Sequence, residues 1–394
     1  VLNSPQGPVI IRDPSYEHEL QEKILASLQH TRDKQEFLPE GELCKLINPV
    51  SVAQELTKEF GRFLTPTDIW SYAHQVCSET KVSRGEKGKI KTFRKIFALL
   101  VLVGAVASIV LFLREDVSDL DLPLHPLQPH GHVGFCRRDD HGDPTNIPLS
   151  CFQKTHWSSL RQCVEQPKWS PVELRNFQNF QWLMLAPFFS KGKHGDIMHY
   201  VLQDKHVLPF IGTNEIHDTL AEKTGGFGKV SMVQIHPEHH NFPEELLCSP
   251  GFAVKQQVHV EDRETFKKEI KVLKIFSGEG RGHPHIVSLL ATYEQFKKLN
   301  LIFYRADGDL FAYWGTIERL PDLSYKNVLW VADQCEGLTE GLLKLHKHLT
   351  FPKIANEGTI GLSRQLSGTL RSLINDILKA STPQLEVRKM MSSC

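Results

Sequence analysis

The sequence predicts an α+β chain in which a mostly helical N-terminal region precedes a sheet-forming domain. Three observations carry that reading. Before residue 120 the apolar residues recur at spacings of three and four, as they do on one face of a helix. After residue 206 they fall into short runs rich in β-branched and aromatic residues, broken by glycines and by one longer amphipathic helix. Between them lies a stretch of Pro, His, Asp and Gly that fits neither pattern. The expected organisation is a helical N-terminal domain over 1–120, a Pro/His-rich linker over 121–148 and a helical connector over 149–205. A mixed domain over 206–350 follows, and then a Ser/Thr-rich tail over 351–394.

Taken in order, Tyr16 to His30 sets Leu20, Ile24, Leu25 and Leu28 on one helical face. Thr65-Pro66-Thr67-Asp68 is a helix start before Ile69, Trp70, Tyr72 and Ala73. Pro123, Pro126, Pro129 and Pro144 punctuate the linker. Pro171 through Trp182 to Leu185 is again helical, and Pro187 ends it. In the tail, Leu362, Leu366, Leu370, Leu373, Ile377 and Leu378 mark a last amphipathic helix, stopped by Pro383.

With 394 residues, 40% of them hydrophobic and 23% charged, the chain has the length and composition for two or three domains with real cores. Its 46 Lys and Arg balance 46 Asp and Glu, so a nucleic-acid partner held by bulk positive charge is not expected. Eight cysteines are scattered without a C-x-x-C pair, which argues against a zinc ribbon or a disulfide-stapled scaffold. Free thiols in an intracellular, cytoplasmic or nuclear setting are the expectation. The first residue is Val1 and no charged-then-apolar leader opens the sequence, so a trimmed chain, a fragment or an incomplete gene product is expected.

Ile96 to Leu113 is an uncharged apolar run at the lower limit of bilayer-crossing length. Lys87, Lys89, Lys91, Arg94 and Lys95 precede it, and Arg114, Glu115 and Asp116 follow. Two readings stay open. One is a buried helix, or a helix–turn–helix bent near Gly104. The other is a single membrane span, whose charge asymmetry would send everything after Leu113 across the membrane.

The residues with chemical content begin near 215. Thr224-Gly225-Gly226-Phe227-Gly228-Lys229-Val230 lies between β-like runs, His217 to Glu222 and Val230 to His236. Glycines at such a turn let backbone N–H groups approach phosphate oxygens with no Cβ in the way, and Val230 would then cover a flat base. By itself the pattern is also that of a tight hairpin. Phe252-Ala253-Val254-Lys255 follows as a buried-strand pattern ending in an ammonium able to reach phosphates. Asp262 to Phe276 is a helix with Phe266, Ile270, Leu273 and Phe276 inward and Glu269 beside them, placed to pair with Lys255. Taken singly, Lys255 or Glu269 reads as a solvated charge; the order of the elements is what gives them meaning. His283-Pro284-His285-Ile286-Val287 then leads into strands Val287 to Tyr293 and Leu299 to Tyr304, and on to Arg305-Ala306-Asp307-Gly308-Asp309-Leu310.

From about His206 to His348 this order resembles the small lobe of a eukaryotic-type protein kinase and the start of its large lobe. The resemblance implies an antiparallel five-stranded sheet with one key helix, then an incomplete helical lobe over 206–350. It implies ATP held beneath Gly225, Gly226 and Gly228, with Val230 and Ala253 on the base and Lys255 paired to Glu269. Phe303 would stand as gatekeeper behind the adenine, and Tyr304 to Asp307 as the hinge whose backbone bonds it. Asp309 to Ile317 would open the large lobe and Ser324 to His348 would be its central helix. Phe180-Gln181-Trp182 and Leu185-Ala186-Pro187-Phe188-Phe189 are similar to the extension that precedes such domains in filamentous fungi.

The departures from the family are as informative. Lys223 stands where the first loop glycine is expected. His346-Lys347-His348-Leu349-Thr350-Phe351 falls where a catalytic loop should begin, and no aspartate base with a following Asn appears after it. Neither D-F-G nor A-P-E occurs in the sequence. Without those groups the acceptor hydroxyl is not positioned and Mg²⁺, implied by the resemblance, has no protein ligands. His194-Gly195-Asp196-Ile197 mimics a catalytic loop but precedes the glycine-rich turn and is followed by Met198-His199-Tyr200. His130, His132, Cys136, His141, Cys151 and Cys163 fit no zinc-knuckle spacing, and His236-Pro237-Glu238-His239-His240 reads as a surface insertion.

The expectation is therefore an ATP-binding, protein-kinase-like chain, of the Ser/Thr class by default, with no catalytic residue and no metal ligand of its own. A non-catalytic scaffold with a protein partner, or a truncated or defective gene product, are the alternatives. Uncovered apolar positions on the Ser324–His348 helix predict self-association unless a partner or the last helix covers Leu329, Val331, Leu338 and Leu342.

Overall fold

A computed structural model describes residues 19–81, 90–126, 135–138, 144–148, 169–192, 196–212, 222–225, 228–243, 251–256, 270, 271, 273–277, 282–306 and 324–350. The chain divides into two compact units, one of Val1–Pro187 with Lys205–Pro209, the other of Phe188–Asp204 with Phe210–Cys394.

The first unit is mostly helical: α1 (Glu19–Ala26), α2 (Glu40–Leu46), α3 (Pro49–Phe60), α4 (Pro66–Cys77), α5 (Arg94–Val103), α6 (Ile109–Arg114) and α7 (Pro171–Phe180). Local chemistry sets several starts. Asn48, Thr65 and Ser170 each cap a helix that has proline in its first turn, and each is answered by the residue three further on, Ser51, Asp68 and Glu173. Three short antiparallel pairings accompany the helices. They are β1 (Gln29–His30) with β2 (Glu36–Phe37), β3 (Thr80–Lys81) with β4 (Ile90–Lys91), and a three-stranded sheet of β5 (His125–Pro126), β6 (Phe135–Arg138) and β7 (Pro144–Pro148). That last sheet lies in the stretch the composition marked as a linker.

The apolar run from Ile96 to Leu113 is the heart of this unit's core. Ile96, Phe97, Leu99, Leu100, Ile109 and Phe112 are fully buried, against Val52 and Leu56 of α3 and Phe177 of α7. A helix apolar on all sides needs protein on all sides. The run breaks at Gly104, whose φ of +73° is left-handed and ends α5, with the Ala105 N–H bonded back to the Leu100 carbonyl at 2.8 Å. At 10 residues α5 is about 15 Å long, half of the roughly 30 Å a bilayer core requires. No helix among the described residues is long and apolar enough to cross a membrane. Asp119 reaches back over the start of α5, accepting from the Lys95 N–H at 3.1 Å, the Ile96 N–H at 3.0 Å and the Thr92 hydroxyl. Gln181, the middle residue of Phe180-Gln181-Trp182, is 1% exposed; its amide accepts from the Leu124 N–H at 2.9 Å and donates to the Leu124 carbonyl at 3.2 Å.

The second unit is built on a seven-stranded sheet: β8 (Met198–Val201), β9 (Phe210–Ile211), β10 (Glu222–Gly225), β11 (Gly228–Ile235), β12 (Phe252–Gln256), β13 (Leu289–Gln295) and β14 (Lys298–Tyr304). Their order is β10-β11-β12-β14-β13-β8, with β9 beside β11. Four of the five strands expected from the sequence are present and antiparallel, as β11 to β14; of the fifth, His217 to Glu222, only Glu222 lies among the described residues, at the start of β10, and the sheet is larger than expected. Met198–Val201, expected in a helical connector, pairs parallel with β13, Met198 facing Ala291 and Val201 facing Glu294. The sheet is α+β in company with α8 (Tyr325–Thr350) and with helical residues 270, 271 and 273–277.

One sheet face carries an aromatic nest, in which Phe189 lies 5.3 Å from Tyr200, 6.2 Å from Phe210 and 5.9 Å from Tyr293 between ring centroids. The His236–His240 segment, expected as a surface insertion between two strands, lies between β11 and β12 with Pro237 exposed, but it sends His239 inward. His239 is 2% exposed, and its carbonyl accepts from the Phe189 N–H at 2.8 Å, while His240 bridges Phe189 and packs edge-on to Phe252. Backbone pairing to Phe189, a residue far away in sequence, is what draws it inward.

Candidate functional site

Strand register decides which side chains share a face, because opposite partners in an antiparallel ladder point the same way and neighbours along a strand alternate. Val230 of β11 lies opposite Lys255 of β12, and Lys255 lies opposite Leu301 of β14. In the next row of that face, Met232 lies opposite Ala253 and Ala253 opposite Phe303. Four positions singled out from sequence, Val230, Ala253, Lys255 and Phe303, thus stand together on one face. All four are half-buried. The opposite face of the same strands is closed: Phe252, Val254 and Ile302 are 2%, 5% and 0% exposed.

The glycine hairpin sits at the end of this face. Gly225 pairs with Gly228 across the turn, and Thr224 with Lys229. Gly226, between them in sequence, lies outside the described residues. The half-open face is therefore bordered by two glycine backbones at the hairpin, an ammonium-bearing strand beside it, and apolar side chains between.

The helical residues 270, 271 and 273–277 pack on the same face. Leu273 and Phe276 join Leu289, Leu301, Ile286 and Ile197 in one buried cluster, with Ile270, Leu299 and Phe303 against it. Ser277 fastens the helix end to the sheet; it is 5% exposed, donates to the Leu273 carbonyl at 2.7 Å and accepts from the Leu289 N–H at 2.8 Å. Leu301 is thus both the cross-strand partner of Lys255 and a contact of this helix cluster. Glu269, the proposed partner of Lys255, and Asp307, at the expected hinge, lie outside the described residues. Of the hinge, Arg305 is described, and its N–H bonds the Gly251 carbonyl at 3.3 Å. Burial pushes the Tyr304 hydroxyl up to about 12, and it donates to the Pro243 carbonyl at 3.1 Å.

Two features escaped the sequence reading. His199 of β8 stands at the far edge of the same face and bonds the Thr292 hydroxyl at 2.9 Å; burial first, then Lys274, holds its imidazole below the usual value. The second joins α8 to the His283–Ile286 loop. A Cβ at Gly337 would fall 2.1 Å from His285 Nε2, so the ring fills the place of a missing side chain, and Gly341 lies under His283 in the same way at 3.3 Å. Lys344 donates to the Gly282 carbonyl at 2.9 Å, and Leu345 is 1% exposed in the cluster below. Two glycines four apart on a helix, with histidines upstream, are the signal that was available for this contact.

No protein-family model and no curated protein sequence matches the chain. Among solved structures it is similar to titin kinase with its flanking domains, at 25% identity over 32% of this chain and 20% of that one, with a TM-score of 0.24. A C. elegans twitchin kinase fragment with immunoglobulin domains matches at 22% identity over 38% and 29%, with a TM-score of 0.26. The M. tuberculosis PknI kinase domain matches at 17% over 36% and 47%, with a TM-score of 0.23. The chain thus spans less than half the length of each of these three.

Proposed function

We propose that the second unit is an ATP-binding lobe of the protein-kinase type, taking the nucleotide against the half-open sheet face. The observation that supports this is the register: Val230 and Ala253 stand on one face as an apolar floor for a base, and Lys255, level with Val230, lies one row nearer the glycine hairpin than Ala253, on the side where phosphates would lie. Backbone N–H groups of a glycine turn and a lysine ammonium are complementary to a polyphosphate in charge and in hydrogen-bond donors. Glu269 would hold that ammonium in place, and Phe303 would close the back of the base site.

The residues present do not fit a resident Mg²⁺. No D-F-G aspartate and no catalytic-loop asparagine occur in the 394 residues. Binding without phosphoryl transfer is accordingly the activity proposed for this polypeptide. Isothermal titration with ATP tests it: Lys255→Ala should weaken binding by about tenfold or more, roughly 1.4 kcal/mol. Equal affinity in parent and variant would remove the assignment.

A further inference from the structure

We propose that the docking of α8 on the 282–286 loop is an acid-sensitive latch for the nucleotide face: docked with His285 neutral it favours ATP, and protonation of His285 releases it. The inference rests on the nucleotide assignment above. It starts from how little of α8 is covered. Of its residues 325–347, only Gly337, Gly341 and Leu345 are buried. They lie four apart, on one stripe of the helix. The edge of the His285 ring takes the place of a Cβ at Gly337, with Nε2 at 2.1 Å and Cδ2 at 2.3 Å from that position. Gly341 meets His283 Nδ1 at 3.3 Å and Ile286 Cγ1 at 3.5 Å, and Lys344 donates to the Gly282 carbonyl at 2.9 Å. A helix held along one narrow stripe belongs to the low-stability end of a fold, and its docked and released positions are the two states a switch needs.

The stripe runs into the cluster that backs the nucleotide face. Leu345 shares that cluster with Leu301, the cross-strand partner of Lys255, and with Leu273 and Phe276 of the helical residues that follow Glu269 in sequence. Phe303, on the nucleotide face itself, packs against the same cluster. Interiors are close-packed, so withdrawing Leu345 leaves a void beneath the residues that position Lys255 and Phe303.

Protonation acts on the docked state because the ring edge lies against the helix, where a charge is stripped of water. Burial, then His283, hold the imidazole below its ordinary value, and Glu340 opposes them. The charged groups around the contact are His283 on the same loop, and on α8 Glu340, 3.7 Å from His283, with Lys344 and, one turn before Gly337, Asp333. Lys274, of the helical residues 273–277, acts on His199. Docking is therefore favoured in full above pH 6.5 and weakened as pH falls through the lowered value.

Hydrogen exchange of the full chain with and without saturating ATP tests the latch, each comparison made at a single pH so that intrinsic rates cancel. If docking favours ATP, ATP must favour docking by the same factor, so at about pH 5.5 the α8 amides around Gly337, Gly341 and Leu345 should exchange at least about fivefold more slowly with ATP. Calorimetric titration supplies the acid arm. Between about pH 7.5 and 5.5 the parent should lose at least about threefold more ATP affinity than His285→Asn, the protonation of ATP being common to both. Unchanged α8 exchange on adding ATP would overturn the latch and leave the nucleotide assignment standing, as would equal pH dependence in parent and variant. Absence of ATP binding by the parent at about pH 7.5 would remove the nucleotide assignment itself, and the latch with it.

Discussion

Val230 lies directly opposite Lys255 in the β11–β12 ladder, on the face that Ala253 and Phe303 share. That relationship joins a residue following a glycine turn to a strand more than twenty residues later. It also gives one cation an apolar neighbourhood: Leu301 stands on its other side and belongs to the buried cluster. A lysine so placed can lay its stem along apolar surface while keeping its charge in a polar environment.

Gly337→Ala should destabilise the second unit, against helix propensity. Alanine is favoured over glycine in a helix by about 1 kcal/mol, yet the new methyl would meet His285 Nε2 at 2.1 Å. Displacing the ring is expected to cost about 1–3 kcal/mol, as overpacking does. Urea unfolding of parent and variant measures it; a midpoint that rises would show that the loop yields freely.

The same contact should loosen in acid. Burial, and secondarily His283, hold the His285 imidazole below its ordinary value of 6.5, while Glu340 opposes the shift. The folded state therefore prefers neutral His285, and its contribution is full above pH 6.5 and lost as pH falls through the lowered value. The charged groups around it are His283, Glu340, which lies 3.7 Å from His283, and Lys344. Hydrogen exchange of the α8 amides near Gly337 should accelerate between pH 7 and 5, after correction for intrinsic rates, and His285→Asn should flatten that dependence. An unchanged slope in the variant would assign the effect to another group.

In the first unit, Asp119 gives the opposite sign. Its carboxyl is enclosed by Thr92 and the start of α5, and burial pushes it up to about 6 despite the hydrogen bonds it accepts. A raised carboxyl favours the proton in the folded state, so its contribution is full below about pH 4 and is lost as pH rises through 6. The stability difference between parent and Asp119→Asn should shrink over that interval, by denaturant titration at each pH. Asp119→Ala, which leaves two helix N–H groups and a hydroxyl unanswered, should cost about 2–3 kcal/mol below pH 4 and less above pH 6.

What the sequence could show followed local rules. Gly104 in an apolar run announced the bend between α5 and α6, and Thr65 with Asp68 announced a capped helix start. Four antiparallel strands, β11 to β14, were legible from runs between glycines, since each carries its own alternation or apolar block. Met198–Val201 was not: its side chains are mostly exposed, and only a parallel partner more than ninety residues away makes it a strand. His239 was likewise placed by the distant Phe189 backbone. At the candidate site, residue types were legible but their common face was not, because it follows from register. Pairing of Lys255 with Glu269 remains a proposal, Glu269 lying outside the described residues.

Methyl-resolved NMR on a chain labelled at Val, Ala, Leu and Ile tests the nucleotide site most directly. Addition of ATP should shift the Val230, Ala253 and Leu301 methyls and leave Val254 and Ile302, on the opposite face of the same strands, unmoved. Shifts confined to Val254 and Ile302, or none at saturating nucleotide, would contradict the account.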